Sequence, residues 1–198
     1  MESEIEVSAR HIHLSKADYE FLFGSGAEFK EIKELSQRGE YATDKLVKIS
    51  GSRGEIEVRM LTPFRDISQV ELSLTDCHTI GIDAPFETEA EEDAASVTLA
   101  GPSGEIERQA AIVARRHLHC NPAEAKSLGI ADSDKVSVEV VSERGKIRFD
   151  DIEVRIKDSY QLRVQLDTDE GNAAGIKGNC IGKLIINKVE TTQIRDTE

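Results

Sequence analysis

One motif is written twice in this chain, and any fold for it must present both copies. His11-Ile12-His13 lies in the run Ser8-Ala9-Arg10-His11-Ile12-His13-Leu14-Ser15. His117-Leu118-His119 lies in Ala114-Arg115-Arg116-His117-Leu118-His119-Cys120-Asn121-Pro122. Four of the five histidines fall in these two pairs. Residues two apart on a strand point to the same side, so each pair offers two imidazoles to one face. A divalent metal takes such donors. A single pair reads equally well as two surface or core histidines. Two pairs in matched contexts, each preceded by an arginine and followed by a helix-like stretch, favour metal binding.

Short alternating or apolar runs recur between Gly, Pro and Ser: 45–50, 55–61, 96–100, 135–141, 152–156, 162–166 and 183–187. This pattern predicts a mostly β chain of small barrels or sandwiches rather than βαβ units. Two short helices stand out. One begins at Ser15 and stops at Gly24; the other begins at Asn121-Pro122 and stops at Gly129. Each has an N-capping residue at its start and a glycine at its end. Residues 87–93 form an acidic run that reads as a solvated linker, and the tail beyond Lys188 is polar.

The repetition goes beyond the histidines. Val47 to Glu57 resembles Val97 to Glu107, with a looser third copy from Val138 to Ile147, and all three read as strand–turn–strand hairpins. A further alignment joins Val70-Glu71-Leu72 through Ile82 to Val164-Gln165-Leu166 through Ile176, without a gap. It sets Gln165 against Glu71. If the chain is a duplicated half, each half supplies a histidine pair and one oxygen-bearing side chain. Chance likeness between short β segments is the bland alternative.

Charge and composition exclude several classes. The 198 residues are 38% hydrophobic and carry a net charge of −13. That is enough apolar content for true cores, and it argues against nucleic acid or an anionic membrane as partner. A small anionic substrate needs only a local cationic site. Cys77, Cys120 and Cys180 lack a paired spacing, which fits a reducing compartment. No apolar run is long enough to span a bilayer.

At this point the residues carry a resemblance. The chain resembles the PduL-type phosphotransacylases, the phosphate propanoyltransferases. The matching stretches are 8–15, Leu35-Ser36-Gln37, Arg65, Gln69-Val70-Glu71, Thr75-Asp76, Gly81 to Pro85, Ala114 to His119, and Asp167 to Gly175. The resemblance implies two β-barrel domains, at 10–114 and at 1–9 with 115–187, followed by a polar tail at 188–198. It implies transfer of a short acyl group, propanoyl or acetyl, between coenzyme A and phosphate at a site with two zinc ions. Carried over, His11, His13 and Glu71 match the ligands of one zinc, and His117 and His119 match two ligands of the other. Arg65 matches the phosphate-binding arginine. The family's third ligand to the second zinc is a histidine; here Gln165 stands in its place, a neutral amide and a poorer zinc donor. His78, the one spare histidine, reads as a polar surface residue before it reads as a substitute.

Each assignment has a plainer counterpart. Glu71 could face solvent, and Arg65 could be an ordinary loop arginine. Arg10, Arg115 and Arg116 either bind coenzyme A phosphates or pair with the chain's many acids. Asp167, Asp169 and Glu170 have the composition of ligands but suit a helix start. Cys120 should alternate away from the histidine face. With no Ser or Cys nucleophile required, direct attack of phosphate on the thioester is the expected mechanism. A metal-dependent hydrolase of thioesters or acyl phosphates and a non-catalytic metal-binding barrel are the competing classes. The chain opens at its first barrel strand, without the amphipathic extension used for packaging into bacterial microcompartments. A free cytoplasmic enzyme is therefore expected, and a homodimer is an open alternative to a monomer.

Overall fold

Residues 1–87, 93–178 and 180–186 are described by the computed structural model. Residues 88–92 of the acidic run and the tail beyond 186 lie outside them.

The chain forms fourteen strands and four short helices among the described residues. The first half contains β1 (Glu2–Val7), β2 (His11–Ser15), α1 (Lys16–Phe23), β3 (Glu31–Glu34), β4 (Tyr41–Ser50), β5 (Glu55–Arg65), β6 (Gln69–Leu72), α2 (Leu74–Ile80), β7 (Phe86–Glu87) and β8 (Ala95–Gly101). The second contains β9 (Gly104–Ala114), β10 (His117–Cys120), α3 (Pro122–Leu128), β11 (Lys135–Ser142), β12 (Gly145–Ile156), β13 (Arg163–Leu166), α4 (Thr168–Ala174) and β14 (Cys180–Ile186).

The strands close into two six-membered rings. One runs β4–β5–β2–β6–β9–β8 and returns to β4, with β3 and β7 attached at its margins. The other runs β1–β13–β10–β12–β11–β14 and returns to β1. Closure removes most of the edge that an open sheet would expose. Matching β2 with β10 brings β4 onto β11, β5 onto β12, β6 onto β13, β8 onto β14 and β9 onto β1. The mostly β, duplicated-barrel expectation holds.

The rings also exchange a strand. β1 sits in the second barrel where β9 sits in the first. Each half of the chain therefore opens with a strand lodged in the other half's barrel, and a short crossing leads straight into its His-X-His strand. Both pairs are thus held at the junction of the barrels.

Each barrel fills its own core. Ile12, Val47, Met60, Val70 and Leu99 pack in the first; Ile5, Leu118, Val138, Val154 and Val164 pack in the second. Ile12 and Leu118, the middle residues of the two motifs, are fully buried there. Burying an aliphatic side chain of this size stabilises by ~1.5–3 kcal/mol, which holds both motifs in register and turns their histidines out of the barrel interior.

The two expected helices are α1, capped by Ser15, and α3, capped by Asn121 and Glu124. Two more are α2, capped by Ser73 and Asp76, which was not expected, and α4, of which only the start was expected. The helix-start reading of Asp167 and Glu170 holds: they form the capping box of α4. The hairpin likeness, by contrast, misleads about descent. β4–β5 corresponds to β11–β12, the looser copy, and not to β8–β9. The closer copies share a local need instead. Gly51 lies against the Ile80 carbonyl at the end of α2, and Gly101 against Leu22 near the end of α1, so neither has room for a Cβ.

Candidate active site

Between the barrels lies a cavity of about 540 Å³. The first barrel lines it with His11, His13, Arg65 and Glu71, and the second with His117, His119 and Gln165. Arg10 and Arg115 also reach the wall. Strand pairing explains the convergence. On antiparallel β2 and β6, His11 faces Glu71; on antiparallel β10 and β13, His117 faces Gln165. The ungapped match of Glu71 with Gln165 is therefore a match of register.

Backbone carbonyls orient three of the four paired rings. His11 Nδ1 lies 2.9 Å from the Ala9 carbonyl, His13 Nδ1 3.2 Å from that of Pro63, and His117 Nδ1 2.8 Å from that of Arg115. A protonated Nδ1 donating to each carbonyl leaves the Nε2 lone pair free, the tautomer that a metal ligand requires. His119 is held by side chains. Its Nδ1 is 2.7 Å from Gln37 Nε2, and Tyr160 stacks on the ring with centroids 3.8 Å apart. Exchanging the Gln37 amide nitrogen and oxygen lets Oε1 accept from Nδ1–H, giving His119 the same tautomer.

The electrostatics of the two pairs differ. Burial disfavours charge on His11, but Glu71, with its carboxylate Oε2 3.4 Å from Nε2, outweighs burial and raises the His11 pKa. Burial likewise opposes charge on Glu71, yet His11 and Arg65 hold its carboxyl well below the usual range. Glu71 Oε1 also accepts from Gln69 at 2.7 Å and lies 3.9 Å from Arg65. Burial, then Arg65 and His11, push His13 down to about 3. In the second pair, burial lowers His117, and burial with His117 and Arg155 pushes His119 down to about 2. His13, His117 and His119 are thus held as uncharged donors and Glu71 as an anion.

This chemistry fits a divalent metal at the first pair: two oriented imidazoles and an ionised carboxylate. The second pair adds only a neutral amide, and Gln165 Nε2 donates to Glu6 at 2.9 Å. Among the described residues, no three His, Cys, Asp or Glu side chains are drawn closely enough together to hold an ion as they stand.

Other expected residues sit elsewhere. Arg10 pairs with Asp76 at 2.8 Å and Arg116 with Glu170 at 2.8 Å, equivalent contacts in the two halves; Arg116 lies off the cavity wall. Arg115 is 3.7 Å from Glu87. Asp169 accepts from the Thr75 backbone N–H at the start of α2. His78 is exposed on α2, and Cys120 is buried in the second core, as its alternation predicted. Sequence reasoning missed Gln37, Glu40, Arg155, Lys157 and Tyr160, all on the cavity wall. Gln37 was visible only inside the Leu35-Ser36-Gln37 motif, with no role attached. The others carry no local signal.

Residues 4–177 match the family model described as phosphate propanoyltransferase. A phosphate propanoyltransferase of Clostridioides difficile (strain 630) is 38% identical over 185 residues, covering 92% of this chain and 88% of the relative. One from Thermotoga maritima is 40% identical over 173 residues, with 86% and 82% covered. One from Citrobacter freundii is 41% identical over 172 residues, with 85% and 81% covered.

Proposed function

The chain belongs to the phosphate propanoyltransferase family, and from that premise we propose that it interconverts a short-chain acyl-CoA and phosphate with acyl phosphate and free CoA. Propanoyl-CoA and acetyl-CoA are the substrates of choice. The observation that carries this reading is the single cavity shared by Arg65 and both histidine pairs.

In the forward direction a phosphate oxygen attacks the thioester carbonyl. A C–O bond forms, the C–S bond breaks, and the electron pair leaves with the CoA thiolate. The Arg65 guanidinium holds phosphate through a planar fork and offsets repulsion from a chain of net charge −13. His11, His13 and Glu71 would hold one zinc ion, and His117 and His119 with Gln165 a second. Bound there, zinc would polarise the carbonyl and lower the pKa of the departing thiol. The carbonyl contacts of His11, His13 and His117 keep donor nitrogens available, and Gln69 steadies the Glu71 carboxylate. Cys120 is turned into its core, which supports direct attack without an acyl-enzyme.

Arg10 and Arg115, at the cavity rim, are the candidates for coenzyme A phosphates, with Arg116 farther off. Ring membership supports domain boundaries at 10–114 and at 1–9 with 115–187. Purified protein should form acyl phosphate from propanoyl-CoA only when phosphate is present, and should contain zinc by elemental analysis. Thioester cleavage at the same rate without phosphate would make it a hydrolase. Absence of turnover with metal bound would make it a binding protein.

A further inference from the structure

The two barrels present opposite chemistry at equivalent points of the cavity wall. His13 on β2 pairs with Leu61 on β5, and His119 on β10 pairs with Arg155 on β12. Two residues farther on, Pro63 of β5 matches Lys157, just past the end of β12. All four line the cavity. At these two points the first wall is apolar and the second cationic; Phe64 extends the apolar side up to Arg65.

Two acids beside the cationic wall, Glu153 and Glu6, each have more than one partner. Glu153 pairs with Lys135 at 2.6 Å and lies 3.8 Å from Arg155. Glu6 accepts from Ser36 and Gln165 and lies 3.6 Å from Arg163. Where the first barrel has the anion Glu71, the second has neutral Gln165. Glu40 enters from the loop before β4 and lies near enough to both Arg65 and Lys157 for each to favour its charged form.

We propose that Arg155 and Lys157 seat the phosphate group and that Leu61, Pro63 and Phe64 seat the acyl end of the thioester. This rests on the phosphate acyltransferase reading above. A phosphate dianion leaving water needs charged donors in a fixed fork, and a half-buried arginine supplies them in a site of low dielectric. A two- or three-carbon acyl group gains nothing from such donors and is favoured against aliphatic carbon. Arg65 and Arg155, one from each barrel, then hold the nucleophile between them, and the carbonyl faces it from the first wall. The strand exchange that joins the barrels thereby fixes the direction of attack.

The test uses the full chain and three variants: Arg155→Leu, which copies the first barrel's residue, Arg155→Lys, and Lys157→Ala. The phosphate KM should rise at least tenfold in Arg155→Leu while the acyl-CoA KM stays within twofold. Arg155→Lys should recover part of the loss, and Lys157→Ala should raise the phosphate KM about threefold. Inorganic phosphate alone should raise the melting temperature of the wild type and not that of Arg155→Leu. An unchanged phosphate KM across the variants, or a rise in the acyl-CoA KM instead, overturns the assignment. If Arg155→Leu does not fold, the other two variants carry the same KM comparison. If the wild type makes no acyl phosphate, the reaction fails but the anion seat remains testable. Phosphate stabilising the wild type more than Arg155→Lys and Lys157→Ala would support the seat; equal stabilisation, or none, would overturn it.

Discussion

In the first barrel the side chain facing the leading histidine of the pair is a carboxylate, Glu71; in the second, at the same register, it is the amide of Gln165. The His11 pKa is raised and that of His117 lowered. The equivalent helices carry the same charge at one position but use it differently. Asp18 and Glu124 both occupy the third position of a helix that follows a His-X-His strand. Glu124 closes a capping box with Asn121. Asp18 instead accepts from Ser68 at 2.6 Å and from Arg108 on the exchanged strand β9 at 2.7 Å. A duplicated backbone plan thus tolerates different charges at matched positions, because the apolar interior sets the register and the cavity-facing side chains are free to diverge.

The strongest way to break the comparison is to remove one histidine from each pair. His11→Ala and His117→Ala should each lower kcat/KM by roughly a hundredfold to a thousandfold, the scale of a lost group that stabilises transition-state charge. The two should differ in stability. His11→Ala leaves the buried Glu71 with less compensation and should lower the melting temperature more than His117→Ala. Near wild-type rates and zinc content in both variants would sink the two-site model.

Arg65→Lys comes next. The charge remains but the fork is lost, so phosphate use should weaken by roughly tenfold to a thousandfold, on the order of 1.5–4 kcal/mol. Zinc content should stay constant. Rates that depend on phosphate concentration as in the wild type would exclude the assignment.

The helix pair gives a smaller, structural contrast. Asp18→Ala should cost about 1–3 kcal/mol by denaturant unfolding, since it removes charged hydrogen bonds to Ser68 and Arg108. Glu124→Ala should cost about 0.5–1 kcal/mol, the scale of a cap. Burial opposes the charge on Asp18, but Arg108 and Ser68 outweigh it and hold its pKa below 3.8. The carboxylate's contribution is therefore fully present above that value and fades as pH falls below it. The gap between wild type and Asp18→Ala should narrow in acid; a gap that widens would contradict the pairing.

A last contrast sharpens the comparison by erasing it. Gln165→His should make the second site hold its metal about tenfold more tightly, whereas in the natural protein mild chelation should empty it before the first. Equal affinity at both sites, unmoved by Gln165→His, would mean that another group completes the second.

Much of this was legible in the chain because it is local. Strand alternation around Ile12 and Leu118 gives the direction of each histidine pair and turns Cys120 the other way. Ser15, Gly24, Asn121 and Gly129 mark two helices through capping chemistry that acts within four residues. The ungapped match of 70–82 with 164–176 aligns Gln165 with Glu71 by sequence alone. Tertiary structure alone decided that β1 and β9 trade barrels, that Gln37 reaches His119, and that Arg155 and Lys157 face the cavity. These depend on pairings between residues far apart in sequence. Such contacts are selected by closing two barrels over their cores, and local propensity or periodicity does not encode them.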